Sequence, residues 1–480
     1  MSVGENCLIL QSFLSRDLGL NNPPRTGAQL ASYTVDGMNS TVIHVNRYSK
    51  VENEFKVLRP LVTGIGPITY GEFLNLPETI AKVKRNAPGT FLIVGGIYPS
   101  LFPETTINIP GIDAIALGYG EKAWQAVTET VLSGRKVKNI QGVYTADEKI
   151  PPPGDRQYSQ PIALKNLLQP NYSSLLPKIR TYFPESFMLA RNQAIQGTRP
   201  NILGGIGCSD RCIFCINTAI QSRGNFGRQP VELRPPQLIV EETQILLTAS
   251  GQKEIAVFLA NPDSLTDADH FETIINLLDK IDPYKNILIG FDAKIKSLAR
   301  LINRPGIANR LQNRIHFISL GAESLSQEIL AYIGGKSFSI EELINCIHFC
   351  EKINAVPLVQ VIIGLPPDTN KTLQESLDQL LFVRDSTPPF VLNTHFADPF
   401  PGTLLHDEAL QLGLIDPDSE IVDFPTINIS METKILDRSE IVRWKHKFLG
   451  EFYTQDYYNR CNADSRGDLL FYQISHFYLD

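Results

Sequence analysis

Short apolar runs of strand length alternate with helix-length stretches along most of this chain, which restricts it to α/β architectures before any single residue is weighed. In the first part the runs fall at 7–11, 41–48, 59–65, 91–96 and 114–117, with helices expected at 26–38, 72–87 and 121–133. That order predicts a doubly wound, Rossmann-like parallel sheet over residues 1–148, whose ligands belong in the loops beyond the carboxyl ends of its strands. Three such loops are rich in glycine: Gly64-Ile65-Gly66-Pro67, Gly95-Gly96-Ile97-Tyr98-Pro99-Ser100 and Gly118-Tyr119-Gly120-Glu121. Any one of them reads as an ordinary strand-to-helix turn. Three in register predict a binding face, because glycine lets a backbone approach a large ligand. Residues 149–198, opened by Pro151-Pro152-Pro153-Gly154, read as a linker. From 199 to 413 the alternation resumes with a longer period, and six strand–helix units predict a partial (β/α)6 barrel with its reacting groups at the strands' carboxyl ends. Residues 414–480 are expected to be mainly helical, with an amphipathic helix at 439–453 and an aromatic tail over 471–478 packing back on the barrel.

The barrel opens on Gly204-Gly205-Ile206-Gly207-Cys208-Ser209-Asp210-Arg211-Cys212-Ile213-Phe214-Cys215. Three cysteines at Cys-x3-Cys-x2-Cys spacing can aim three thiolates at one centre, and iron–sulfur clusters are held by cysteine thiolates, usually four. A fourth is missing here: Cys7, Cys346, Cys350 and Cys461 are all remote in sequence. A cubane held by three cysteines leaves one iron open, which distinguishes a reactive centre from a structural one, as it does for zinc. A structural Cys3His zinc site needs a nearby histidine, and the nearest on either side are His44 and His270. Cys346 and Cys350 flank His348 in the run INCIHFCEKI, but the amphipathic pattern predicts buried cysteines rather than ligands.

Cys208, Cys212 and Cys215, with Phe214 before the last, resemble the signature of the radical S-adenosylmethionine (radical SAM) enzymes. The resemblance implies a 4Fe–4S cluster whose open iron is chelated by S-adenosylmethionine, and cleavage of that cofactor to a 5′-deoxyadenosyl radical. It further implies that Phe214, Glu323 in Gly-x-Glu-Ser, Gln360 and the Gly364-Leu365-Pro366 segment contact S-adenosylmethionine. Asp263, Asp292 and Lys294 also fall at strand ends, where a helix cap or a solvated charge is the plainer reading. Asp398-Pro399-Phe400-Pro401-Gly402-Thr403 resembles a Pro-Gly-Thr element of cobalamin-associated members, expected to turn the chain near the site. VGGIYPSLFPE and GIDAIALGYGEKAWQAV are similar to the cobalamin-binding domain that precedes many radical SAM cores, over about residues 5–145. That resemblance implies a cobalamin site at Gly66, Thr69, Gly95, Gly96, Tyr98, Gly118, Tyr119 and Gly120. Many such domains carry a cobalt-ligating histidine after the first strand; the corresponding stretch 12–25 has none.

With 44 basic and 51 acidic residues the net charge is −7, which gives no footing for nucleic acid. The first residues lack a secretion signal and no apolar run reaches the ~18 residues of a membrane helix, so a cytoplasmic protein is expected. The leading functional expectation is a cobalamin-dependent C-methyltransferase acting on a small-molecule, natural-product or peptide-type substrate, fed by an external electron donor of flavodoxin or ferredoxin type. The alternatives are a cobalamin-free radical dehydratase, cyclase or rearranging enzyme, and a non-catalytic iron–sulfur protein for electron transfer or sensing. No catalytic side chain can be named from the sequence.

Overall fold

The structure is a computed structural model that describes residues 5–12, 23–45, 51–176, 178, 180, 200–218, 231–416, 431–467 and 470. They form two compact units, one from the residues up to 180 and one from 200 onward. Among the described residues no helix is long and apolar enough to cross a membrane.

The first unit is built on seven strands: β1 (Glu5–Ser12), β2 (Met38–Val45), β3 (Val62–Ile65), β4 (Phe91–Gly95), β5 (Ala114–Ala116), β6 (Val143–Thr145) and β7 (Leu175–Leu176). Their order is β6-β5-β4-β3-β1-β2-β7. Every pair is parallel except β5 with β6. Central strands read as unbroken apolar runs because helices cover both faces of a parallel sheet; Cys7, Leu8, Ile9 and Leu10 are all buried. β1 pairs with β2 on one side and β3 on the other, so successive strands are added in opposite directions from β1. A crevice is expected at that reversal. Residues 149–176, expected in the linker, build against this sheet: β7 pairs with β2, and Ser159 bridges to Gly118.

The helix expected at 26–38 spans only Arg25–Ala31. Thr34 and Val35 are β-branched and helix-poor, and Gly37 takes φ +95°, so the chain turns and β2 starts at Met38. The helix Tyr70–Asn86 is set by a capping box, the Thr69 amide donating to the Glu72 carboxylate at 3.0 Å.

In the second unit β8 (Asn201–Leu203), β11 (Ile255–Ala260), β12 (Ile287–Ala293), β13 (Ile315–Glu323), β14 (Val356–Ile363) and β15 (Val391–Phe396) form a parallel sheet in the order β15-β14-β13-β12-β11-β8. This is the expected six-stranded open barrel sheet. β9 (Gly205–Ile206) and β10 (Glu232–Leu233) make a separate antiparallel pair beside the cysteine loop. On one face of the sheet Phe258 and Phe317 stack with ring centroids 5.9 Å apart. They meet across Gly290, where a Cβ would lie 2.1 Å from the Phe317 ring. One pleat further along, the same face turns polar: Asp292 stands opposite Ser319, and Gln360 opposite Asn393.

β15 is an edge strand, which leaves backbone groups to be satisfied. Tyr453, just past the helix Arg438–Phe452, bonds both the amide and the carbonyl of Leu392 through its hydroxyl, each at 2.9 Å. Tyr457, in the helix Gln455–Ala463, does the same for Phe390, taking its amide at 2.8 Å. The expected helix at 439–453 is therefore present; the tail 471–478 lies outside the described residues.

Candidate functional site

The cysteine loop leaves the sheet at the carboxyl end of β8. Gly204 donates to the Ala260 carbonyl at 3.0 Å, and a Cβ on it would stand 2.8 Å from Leu259. Gly207 then turns with φ +83°. Two backbone bonds fix the loop: Ile213 donates to the Ile333 carbonyl, and Leu405 donates to the Ile213 carbonyl, both at 3.0 Å. The first comes from the end of the helix Gln327–Ile333, the second from the start of the helix Leu404–Gln411. Thr403 caps that second helix, with its hydroxyl accepting from the His406 amide at 3.1 Å and donating to the Phe400 carbonyl at 2.7 Å. Pro-Gly-Thr thus turns the chain against the cysteine loop, with Gly402 at φ +93°.

Cys208, Cys212 and Cys215 are free thiols, Cys212 buried and the others half-buried. Burial pushes the Cys212 thiol up to about 12; Lys336 opposes that and Cys215, Glu323 and Asp210 add to it. Cys215 is also raised by burial, against the pull of the Asn217 and Thr218 amides. The Cys215 amide donates to the Cys212 carbonyl at 3.0 Å and the Asp210 amide to the Cys208 thiol at 3.5 Å, so all three cysteines sit on one tight loop. No group of three such side chains among the described residues closes on a single ion. A cubane takes each cysteine on a different iron, so its thiolates need not converge on one point; an all-thiol donor set on a short glycine-led loop fits an iron–sulfur cluster. Phe214 packs with the apolar cluster of Cys212, Ile329, Ile333, Leu365 and Leu405.

Around this loop stands a ring of charge. Lys294 pairs with Asp210 at 2.8 Å and donates to the Ser209 hydroxyl at 2.9 Å, tying the end of β12 to the cysteine loop. Asp263 is buried and accepts from Ser297 at 2.7 Å, which makes it a structural hub. Glu323 ends β13 after a bulge, at φ +64°, and pairs with Lys336 at 3.1 Å. Burial pulls the Lys336 ammonium down, but Glu323, Cys212 and Asp210 outweigh it and the net shift is upward. Asp292 is raised by burial and by Glu323, while Ser319 and Lys336 hold it back. Gln360 donates to the Ser319 hydroxyl, so Asp292, Ser319 and Gln360 form one polar row. Gly364, at φ +91°, and Leu365 both donate their amides to Asp368 at 2.9 Å. Asp368 is 1% exposed, and burial lifts its carboxyl to about 7 against the amides of Gly364 and Leu365 and the Thr372 hydroxyl.

Glu323 thus ends β13 and Gly364 follows β14, while Gln360 lies within β14 and Phe214 on the cysteine loop. Sequence reasoning missed Lys336 and Asp368. Gly334-Gly335-Lys336 carries the signal for the first: a Cβ on Gly335 would stand 2.9 Å from Asp210, so only a glycine turn brings the lysine there. Cys346 and Cys350 are fully buried thiols raised by burial, and the Cys346 thiol donates to the Ile295 carbonyl at 3.6 Å.

The first unit has a cleft of about 220 Å³ at the carboxyl ends of β3, β4 and β5. Gly66, Gly95, Gly96, Gly118, Tyr119 and Gly120 line it. Gly66 and Gly96 are dictated by close approach: a Cβ on Gly66 would lie 2.6 Å from the Gly95 carbonyl oxygen, and one on Gly96 2.3 Å from the Ile68 nitrogen. Two expected members are not in the lining. Thr69 is committed to the helix cap with Glu72. Tyr98 is buried, stacked 3.9 Å from Phe73 and tilted against Phe102 at 5.0 Å.

A family model, the Radical SAM superfamily, matches residues 202–380. The uncharacterized methyltransferase PH0819 of Pyrococcus horikoshii is 24% identical over 418 residues, 84% of this chain and 82% of that protein. The anaerobic magnesium-protoporphyrin IX monomethyl ester cyclase of Rubrivivax gelatinosus is 25% identical over 445 residues, 88% of this chain and 72% of its own length. Among solved structures, the radical S-adenosylmethionine methyltransferase TsrM of Kitasatospora setae, with cobalamin and a 4Fe–4S cluster bound, matches at TM-score 0.64 and 16% identity, over 90% of this chain and 83% of that one. The cobalamin-dependent S-adenosylmethionine radical enzyme OxsB matches at TM-score 0.62 and 15% identity, over 93% and 61%. Residues 202–380 therefore carry a Radical SAM domain, and the chain has the fold of TsrM and OxsB.

Proposed function

We propose that the chain is a cytoplasmic, cobalamin-dependent radical SAM C-methyltransferase acting on a small natural-product or peptide-type substrate, reduced by an external flavodoxin- or ferredoxin-type donor. The observation that carries this reading is the pairing, in one chain, of the three-cysteine loop at the end of β8 with a glycine-lined cleft at the strand ends of the first sheet. When bound, a 4Fe–4S cluster supplies the electron that cleaves S-adenosylmethionine to a 5′-deoxyadenosyl radical, and cobalamin supplies the methyl group. Cys208, Cys212 and Cys215 would hold the cluster. Glu323, which pairs with Lys336, would also meet the amino group of S-adenosylmethionine, where opposite charges pair well with little water. Gln360 and the Gly364 backbone offer polar and close-approach contacts, and Phe214 closes the apolar side. Gly66, Gly95, Gly96, Gly118, Tyr119 and Gly120 would line the cobalamin. The functional division we propose is 1–148 for cobalamin, 149–198 as a linker whose part up to 176 packs on the first sheet, 199–413 as barrel and 414–480 as a helical C-terminal segment.

A second reading, a radical cyclase, is favoured by the likeness to the monomethyl ester cyclase. Protein prepared anaerobically from cells supplied with a cobalamin precursor separates the readings. About one cobalt beside roughly four irons per chain supports methyl transfer; iron without cobalt supports a cobalamin-free cyclisation or rearrangement. Cys212→Ala should lose the cluster's visible absorption and all formation of 5′-deoxyadenosine. Retained turnover in that variant would falsify the placement of the cluster.

A further inference from the structure

Glycine loops at the ends of parallel strands ordinarily suit phosphate, because they present amides to an anion. The cleft of the first unit is lined otherwise. Among the described residues that line it, one is charged, and it is an acid: Glu121, at the start of the helix Gly120–Leu132. No lysine or arginine is in the lining. The Glu121 carboxylate is half-buried, and its only hydrogen bond among the described residues comes from its own backbone amide. Burial raises this carboxyl, and that amide and Arg25 pull it back. A carboxylate that lines the cleft and takes no side-chain hydrogen bond among the described residues has lone pairs free for N–H donors brought by a ligand.

We infer that Glu121 is a cobalamin-binding residue that accepts a hydrogen bond from a primary carboxamide on the corrin rim and turns the anionic phosphodiester of the nucleotide loop away from this end of the cleft. The inference rests on reading the cleft as a cobalamin site. A neutral macrocycle fringed with carboxamides is the chemistry that one carboxylate among glycines and aliphatic side chains selects.

Trp124 also lines the cleft and is one of two tryptophans in the chain. In a Trp444→Phe background its fluorescence reports binding directly, without turnover. Hydroxocobalamin titrated into the whole chain should quench it. Glu121→Ala should weaken that binding about tenfold, and Glu121→Gln, which keeps an acceptor oxygen, by less, with far-UV dichroism unchanged in both. Cobalamin monoacids, each with one rim carboxamide hydrolysed to a carboxylate, add a test from the ligand side. At least one should bind the Glu121 protein about tenfold worse than cobalamin and recover in Glu121→Gln. Equal affinity for cobalamin in all three proteins, or no discrimination among the monoacids, overturns the role of Glu121 and leaves the cobalamin reading standing. Failure of the Glu121 protein to bind cobalamin at all overturns both.

Discussion

Asp368 shows how a single buried group can shape the second unit. It holds the amides of Gly364 and Leu365 at the end of β14 from a buried site. Its carboxyl moves from the ordinary 3.8 to about 7, chiefly by burial. Between those values the folded chain keeps a proton that the unfolded chain has released. The contribution to stability is therefore complete below about pH 4 and is lost as pH rises through about 7. Asp368→Asn cannot titrate but retains an oxygen for the amides. Its melting temperature should fall less than the parent's between about pH 5 and pH 8; parallel profiles would show that Asp368 is ionised throughout. Nothing in the sequence marked this residue, because its role depends on desolvation and on a loop folding back four residues. Cys208, Cys212 and Cys215 were legible for the opposite reason: their spacing alone brings them together.

At the scale of elements, periodicity carried most of the fold. The apolar runs at 91–96 and 391–396 became β4 and β15 almost residue for residue, since a strand buried on both faces tolerates little polar interruption. Legibility failed where a local rule met a specific neighbour. The run expected to be one helix from 26 to 38 breaks at Ala31, and the linker supplies β7, which shows only when β2 is there to pair with it. Tyr98 sits in a glycine-rich loop like a ligand contact, yet Phe73 stacks on it from another helix. The capping of β15 by Tyr453 and Tyr457 was equally hidden. Each hydroxyl serves a backbone amide and carbonyl, and an orphaned buried backbone group costs ~1–3 kcal/mol. The double variant Tyr453→Phe/Tyr457→Phe should lose ~2–5 kcal/mol in denaturant unfolding. A loss within about 0.5 kcal/mol would mean that water satisfies the edge as well.

For the molecule as a whole, the two tryptophans fall one to a unit: Trp124 in the first, and Trp444, bonded to Asn370 at 2.7 Å, in the second. A ligand that binds only the native form stabilises by about 2.7 kcal/mol at 100 times its Kd. Cobalamin should raise the unfolding midpoint seen by Trp124, and cluster with S-adenosylmethionine the midpoint seen by Trp444. Equal shifts at both tryptophans with either ligand would show that the units unfold as one. The closed edge of β15 also limits how a peptide-type substrate could be taken. Many proteins capture an extended peptide by adding it as a further strand, with backbone pairing giving affinity. Along Phe390 and Leu392 such a guest would first have to displace two tyrosine hydroxyls that already serve those amides and carbonyls. At this start of β15 a peptide substrate is better read by its side chains or its termini than enrolled as a further strand.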